Sequence, residues 1–343
     1  MRARAWRTVL LGTLSLLVGC APKSAAETRA SAVSPFAEAT ASAVLTPSDA
    51  GSTSLAPAPG SNSRIYPWNA GAIVVYVDPG HGGCLDWGVP NPYDNTASNA
   101  EKTLTLGIGV ALRELLEADG VDVVLSRTTD SALAGDLDSD FGCHGEPFRD
   151  VNGDGETGFD PEGFTLARDE LTARIDLANL ARADVFLSVH INSMTENGQV
   201  YPIAATQTFY TDEVAWGNSS RRLAADIQRE VVDVFGSMSD YERQDRGTQA
   251  INYFVIAPPF PEPTEEEPDP RKRPRGIQMP GVLAEVGSMS LEQEAELLAT
   301  PDGQAAVAGG LFDALTAYFA ERPLAVRYDV AVPGGAGGRR SPP

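Results

Sequence analysis

The run Ile73-Val74-Val75-Tyr76-Val77 leads straight into Asp78-Pro79-Gly80-His81-Gly82-Gly83. Five β-branched or aromatic residues followed by a Pro/Gly break predict a buried strand that ends in a tight loop. The same construction returns at Val185-Phe186-Leu187-Ser188-Val189-His190. The chain holds three histidines, and two of them stand just beyond these apolar runs, where an α/β sheet presents its ligand-binding edge. A single histidine there has an ordinary structural reading. Two in equivalent places point to a metal, because imidazole is the commonest borderline metal ligand.

Around these runs the pattern alternates between strand and helix. Glu101 to Ala118 carries Leu104, Ile108, Leu112 and Leu115 at helical spacing, and Asp122 to Ser126 reads as a second strand. Leu171, Ile175, Ala178 and Ala181 line a helix that leads into Val185 to His190. Further strands are expected near Gln207 to Tyr210, Asn252 to Ile256 and Gly281 to Val286, with a helix from about Asn218 to Phe235. A last helix shows Val307, Leu311, Leu315 and Tyr318 at helical spacing, and Pro258 to Met279 reads as a long surface loop. Strands alternating with amphipathic helices predict a single three-layer α/β domain over residues 70–325. Its sheet should have about six strands, mostly parallel or mixed, with helices on both faces. Residues 326–343 read as a flexible tail.

A formal net charge of -21 argues against nucleic acid, whose phosphates such a chain repels, and against electrostatic docking on an anionic bilayer. A membrane link would instead come from the N-terminus. Arg2, Arg4 and Arg7 precede an apolar run from Val9 to Val18 that is too short to span a bilayer, which reads as a signal peptide over residues 1–19. Its end, Leu17-Val18-Gly19-Cys20, resembles a bacterial lipobox and marks Cys20 for lipidation, the other reading being an ordinary cleaved signal. Residues 20–69, rich in Ala, Ser, Thr and Pro, cannot bury enough surface to offset ordering entropy and read as a disordered, lipid-anchored tether. The expected location is the cell envelope, on a membrane-anchored lipoprotein facing the periplasm or the cell exterior. Export leaves Cys84 and Cys143 as the remaining thiols, expected to pair as a disulfide. Cys84 as a metal ligand is the alternative, but a fourth protein ligand would close a catalytic site to water.

A catalytic zinc site takes three protein ligands, commonly two histidines and a carboxylate, and keeps a fourth position open. His81 and His190 supply the imidazoles. Glu101 opens the helix that returns from the His81 loop and can point back to the same edge, although an acid in a first helical turn also complements the helix dipole.

The motifs Val77-Asp78-Pro79-Gly80-His81-Gly82-Gly83, Asp86 and Gly88, Glu101-Lys102, and Ser126-Arg127-Thr128-Thr129-Asp130 are followed by Arg174, Ala178-Asn179 and Ala183-Asp184. Then come Ser188-Val189-His190-Ile191-Asn192-Ser193, Arg246-Gly247 and Val282-Leu283-Ala284-Glu285-Val286-Gly287. In this order, over roughly Ile73 to Phe319, they resemble the zinc-dependent N-acetylmuramoyl-L-alanine amidases. The resemblance implies a peptidoglycan hydrolase that cleaves the amide between the lactyl group of N-acetylmuramic acid and the first L-alanine of the stem peptide. It implies Zn2+ on His81, Glu101 and His190, a zinc-activated water, and Glu285 as the catalytic carboxylate that takes and returns a proton. Asn192 and Ser193 would orient His190 or hydrogen-bond substrate, with Arg246 a further substrate contact or a partner for Glu285. The ligand set alone also admits another zinc peptidase or deacylase acting on cell-wall peptides. A non-catalytic wall-binding module is a further reading, against which the retention of Glu285 speaks. The chain departs from the family at Ser288-Met289-Ser290-Leu291, which bears on substrate contacts rather than the metal, while Glu294 keeps a later acidic position.

The stretch Ser131 to Gly163 is longer than a minimal connection. His144 within it follows no strand and reads as a surface residue. Asp150-Val151-Asn152-Gly153-Asp154-Gly155 matches the first half of a calcium loop, with oxygen donors Asp150, Asn152 and Asp154 at positions one, three and five and Gly at six. Position twelve is Pro161, so Ca2+ binding and a plain acidic turn both stand as readings.

Overall fold

The computed structural model describes residues 73–136, 146–157, 165–196, 199–259 and 268–321. The expected signal peptide, tether and tail lie outside them, as do Cys20, Cys143 and His144. In chain order the elements are β1 (Val74–Pro79), α1 (Glu101–Ala118), β2 (Asp122–Leu125), α2 (Thr165–Ala181) and β3 (Val185–Asn192). A short antiparallel hairpin follows, β4 (Thr195–Glu196) with β5 (Gln199–Val200). Then come β6 (Ala204–Tyr210), α3 (Gly217–Met238), β7 (Arg243–Ala250), β8 (Gly281–Ser288), α4 (Glu292–Leu298) and α5 (Pro301–Ala320).

The main sheet has six strands in the order β2-β1-β3-β8-β6-β7. β1 pairs in parallel with both β2 and β3, and β3 with β8. β6 runs antiparallel to β8 and parallel to β7, which makes the sheet mixed. Alternation along the strands sorts side chains between two cores. Val75, Val77, Val185, Leu187, Val282 and Ala284 face one core, shared with α1, α3 and α5. Tyr76, Phe186 and Leu283 face the other, where α2 adds Ile175 and Ala178. Helices therefore cover both faces, as the hydrophobic runs require.

On α1 the buried face runs Leu104, Ile108, Leu112, Leu116, while Leu115 is 39 % exposed. The fourth position lies four residues beyond Leu112 rather than three, since 3.6 residues per turn admits either step. The strand expected near Asn252 to Ile256 is a single 3-10 turn, Phe254–Ile256, that packs Val255 and Ile256 under the α2 face. The sixth strand is instead β7, Arg-Gln-Asp-Arg-Gly-Thr-Gln-Ala, an edge strand largely exposed on its outer side. With one neighbour and little burial, it lacks the apolar period by which strands are read. No helix among the described residues is long and apolar enough to cross a membrane.

Candidate metal centre

β1 delivers Asp78 into the space beneath α2, and the chain then turns sharply so that His81 lies in the left-handed region, at φ 63. That conformation costs a non-glycine residue about 1 kcal/mol or more and persists only where the surroundings impose it. Here they do. Arg174 of α2 donates through Nη2 to the His81 carbonyl (2.7 Å) and through Nη1 to the Pro79 carbonyl (2.9 Å) and Asp78 Oδ1 (2.5 Å). Arg127 donates to the carbonyls of Pro79 (3.1 Å) and Gly80 (2.9 Å), and Lys102 Nζ to that of Gly83 (2.6 Å).

His81 Nδ1 lies 2.6 Å from Asp86 Oδ1, which turns Nε2 toward Glu101 Oε2 at 3.2 Å. His190 Nδ1 approaches the other carboxylate oxygen, Oε1, at 3.1 Å. Glu101 is 2 % exposed and is fixed at both ends: Oε2 accepts the Val89 N–H (2.7 Å) and Oε1 the Ile191 N–H (2.9 Å). His81, Glu101 and His190 each offer one ligand atom, all within 4.8 Å of one another, the only such group of His, Cys, Asp or Glu among the described residues. Two glycines keep the space open. A Cβ on Gly80 would stand 2.5 Å from His190 Cε1, and one on Gly88 2.5 Å from both Glu101 Oε2 and His81 Cδ2.

Burial opposes the His81 cation, but the Glu101 and Asp86 carboxylates outweigh it and hold the imidazole pKa well above its ordinary value. Burial also raises the Glu101 carboxyl, and the His81 charge with hydrogen bonds from both imidazoles pulls it down past its ordinary value. A pocket in which one fixed, buried carboxylate faces both imidazole rings is electrostatically ready for a cation.

His190 is not beyond its strand but within β3, where it pairs in register with Glu285 of β8. The two side chains therefore emerge on the same face of adjacent strands. Glu285 Oε2 is shielded from water and has no hydrogen-bond partner. Burial, and secondly the Glu101 charge, push its carboxyl up to about 8. Arg246 does not pair with it; Arg246 is exposed, with Nη1 3.0 Å from Met194 Sδ. Asn192 gives its carbonyl to the Met289 N–H (2.8 Å), and Ser193 Oγ lies 3.4 Å from Ser290 Oγ. Both thus border the Ser288 to Leu291 segment. Glu294 is fully buried and structural: Arg243 Nε holds its Oε2 at 2.6 Å, and its Oε1 accepts the Ser288 N–H at 2.7 Å. Cys84 is disulfide-bonded, while Cys143 lies outside the described residues. Asp150, Asn152 and Asp154 lie in a separate loop of the connection between β2 and α2, outside this cluster.

The donor set suits zinc. Two imidazoles and a carboxylate are a common catalytic zinc set, and His81 has the carboxylate behind its other nitrogen that metal-ligating histidines usually have. Asp86 had a place in the sequence motif but no role; an acid five residues past a loop histidine was the only signal for it.

A model of the family described as N-acetylmuramoyl-L-alanine amidase matches residues 75–317. Over 264 residues, 76 % of this chain and 87 % of the relative, the sequence is 24 % identical to the germination-specific N-acetylmuramoyl-L-alanine amidase of Bacillus subtilis (strain 168). Over 245 residues, 71 % of this chain and 84 % of the relative, it is 25 % identical to an uncharacterized protein of the same organism, YqiI. Among solved structures, the N-acetylmuramoyl-L-alanine amidase of Clostridium difficile 630 has the same fold, with a TM-score of 0.50 at 23 % identity over 74 % of this chain and 99 % of that one.

Proposed function

The chain belongs to the N-acetylmuramoyl-L-alanine amidase family, and from that we propose that it hydrolyses the amide joining the lactyl group of N-acetylmuramic acid to L-alanine in peptidoglycan, with zinc as cofactor. The observation that carries the mechanism is the convergence of His81, Glu101 and His190 beside a Glu285 carboxyl whose buried Oε2 has no hydrogen-bond partner among the described residues.

His81 through Nε2, Glu101, and His190 through Nδ1 would hold the ion. Bound there, zinc supplies Lewis acidity for an otherwise unreactive amide carbonyl and lowers the pKa of water. Asp86 keeps the His81 proton on Nδ1, so that Nε2 presents its lone pair. Glu285 Oε2 takes a proton from the attacking water and returns it to the leaving alanine nitrogen, the two proton transfers that amide hydrolysis needs. A carboxyl raised to about 8 keeps its proton near neutral pH, and a dication at the triad favours the ionised base. The charges of Glu101 and Glu285 together balance that dication. Asn192, Ser193 and Arg246 are proposed substrate contacts.

We further assign residues 70–325 to catalysis, 1–19 to a lipoprotein signal peptide, 20–69 to a tether anchored through Cys20, and 326–343 to a tail. The enzyme would act on peptidoglycan from an envelope membrane. Cys143 is the proposed partner of Cys84. The test is digestion of purified peptidoglycan followed by mass spectrometry. Stem peptides with a free N-terminal alanine and intact glycan strands are expected; cut peptide crosslinks, or deacylated sugars, would replace this reading with that of another zinc hydrolase.

A further inference from the structure

Amidase chemistry makes no use of the loop Asp150-Val151-Asn152-Gly153-Asp154-Gly155, between β2 and α2. Two of its polar side chains turn inward, Asn152 at 5 % exposed and the Asp154 side chain at 1 %, while Asp150 stands at the surface. Asp150 accepts the N–H groups of Gly153 (2.7 Å) and Gly155 (2.9 Å), Asn152 Oδ1 that of Asp154 (2.9 Å), and Asp154 Oδ1 that of Glu156 (2.8 Å). These bonds fold the loop and leave its negative charge in place.

Against the loop lies Asp169 of α2, 1 % exposed. Its Oδ1 accepts the N–H groups of Val151 (2.8 Å) and Asn152 (3.0 Å), which aims the carboxylate at the loop. Its Oδ2 is buried without a hydrogen-bond partner. Among the described residues no Lys, Arg or His forms an ion pair with Asp150 or Asp169. Lys272 Nζ stands 4.0 Å from Asp154 Oδ2 but is engaged by Glu156 at 2.9 Å. Arg271 and Arg275 hydrogen-bond the loop at the carbonyls of Gly153, Val151 and Asn152 and pair with Asp269 and Asp176, with Arg271 close enough to feel the charges of Asp154 and Asp150 without bonding either. For Asp169, a buried carboxylate with no ion-pair partner among the described residues, that position is costly.

We propose that Asp150, Asn152, Asp154 and Asp169 bind a calcium ion, with Asp169 supplying from α2 the carboxylate that a calcium loop ordinarily takes from its twelfth position, here Pro161. An all-oxygen set selects a hard cation and offers zinc none of the nitrogen it prefers. Side-chain oxygens, the position-seven carbonyl of Glu156 and water together reach the six to eight ligands that calcium takes. The acidic groups here are less tightly gathered than the His81 triad, so binding draws the loop in, which calcium's flexible coordination permits. The consequence is structural. Asp169 adjoins Glu170, whose Oε2 accepts the N–H groups of Leu133 (2.6 Å) and Ala134 (2.7 Å) and whose Oε1 holds Arg174 (2.8 Å). A cation at Asp169 therefore steadies the start of the helix from which Arg174 grips the His81 carbonyl.

The full, zinc-loaded chain, freed of calcium on a chelating resin, is titrated with CaCl2 by calorimetry and by thermal melting, with MgCl2 at matched ionic strength as control. One calcium per chain is expected, with Kd on the order of 10⁻⁴–10⁻³ M as in extracellular modules. Tm should rise by about 3–5 °C at tenfold excess over Kd, with zinc content unchanged. Asp169→Asn retains the Oδ1 acceptor and removes a charge, so its calcium-free Tm should be unchanged or higher while Kd weakens at least tenfold. A purely structural Asp169 gives the opposite: a lower calcium-free Tm and a retained response. Should that variant not fold, Asp154→Asn decides by loss of the calcium response. Lack of response at 10 mM calcium, an equal response to magnesium, or an unaltered response in the variants overturns the site.

Discussion

The most direct probe of the metal centre is Gly80→Ala, which touches no ligand. Gly80 is not among the left-handed glycines, so alanine adds no backbone strain and the effect is steric. The new methyl would stand 2.5 Å from His190 Cε1, 2.6 Å from Nε2 and 2.8 Å from Nδ1. Ordinary contact begins at about 3.4 Å, so the ring must retreat by roughly 0.9 Å in a packed interior. It cannot do so and stay in place, because Nδ1 sits 3.1 Å from a Glu101 carboxylate fixed by two backbone N–H groups. Metal–ligand distances tolerate about 0.2 Å, and a misplacement of about 1 Å costs on the order of 10²-fold in rate. We expect zinc affinity and kcat each to fall by about 10² or more, with overpacking lowering stability by about 1–3 kcal/mol. Zinc competition against a chromophoric chelator reads the first and release of stem peptides the second. Gly120→Ala is the control: it meets nothing within 4 Å and carries only the strain of φ +81, so zinc affinity should stay at the wild-type value. A Gly80→Ala protein that binds zinc and turns over normally would refute the placement of His190 as a ligand.

Glu285→Gln removes the proton carrier and leaves the triad intact; zinc content should be unchanged and kcat lower by roughly 10² or more, and near-normal turnover would remove Glu285 from the mechanism. Burial raises the Asp78 carboxyl, but Arg174 and the Ser188 hydroxyl outweigh it and hold its pKa below the ordinary value. The stability it contributes is therefore complete above about pH 4 and lost as pH falls through the depressed folded pKa. Asp78→Asn should cost about 3–5 kcal/mol at pH 7 and flatten the acid limb in urea melts from pH 2 to 7; parallel curves for variant and wild type would contradict this. Non-reducing peptide mapping should recover Cys84 joined to Cys143, and reduction should lower stability by up to roughly 4 kcal/mol for a closed loop of about 60 residues; alkylation of Cys84 without reductant would end the pairing.

The strands around the site are legible because they are buried on both faces. β1, β3 and β8 are continuous apolar runs, and a run of that kind in a chain with amphipathic helices has few places to go but the middle of a covered sheet. Edge strand β7 has no such signature: Arg243, Asp245 and Arg246 lie in it, and its pairing with β6 even breaks register between Thr206 and Thr208. The histidines were legible by position, and Glu101 by its place at a helix start. What sets Glu101 apart from a plain dipole complement is tertiary: two backbone N–H groups, from Val89 and Ile191, hold its oxygens toward the imidazoles. Asp169 was hidden for a similar reason, since it lies on a helix outside the loop motif, 17 and 18 residues from the N–H groups it accepts.

The His81 loop shows why so much charge is buried around a site whose ligands are few. A histidine in a strand, such as His190, inherits its position from the ladder, but one two residues past a strand, such as His81, has none to inherit. In this loop the carbonyls that a ladder would pair are taken by cations instead: Pro79 by Arg127 and Arg174, Gly80 by Arg127, His81 by Arg174 and Gly83 by Lys102. Arginine suits the task because one planar fork bonds several carbonyls at fixed angles. Each cation must then be compensated, and the compensation spreads outward: Arg174 requires Asp78 and Glu170, and Lys102 requires Asp130. Among the described residues Arg127 has no such partner; it bonds only neutral oxygens there, and burial depresses its pKa to about 10. At neutral pH it nonetheless remains charged, so its desolvation is offset by the carbonyl dipoles it gathers. The left-handed His81 is thus held by neighbours whose own charges are anchored in α1, α2 and the start of the β2–α2 connection. A metal ligand on a loop gains strand-like precision only when the elements around it are locked to one another first.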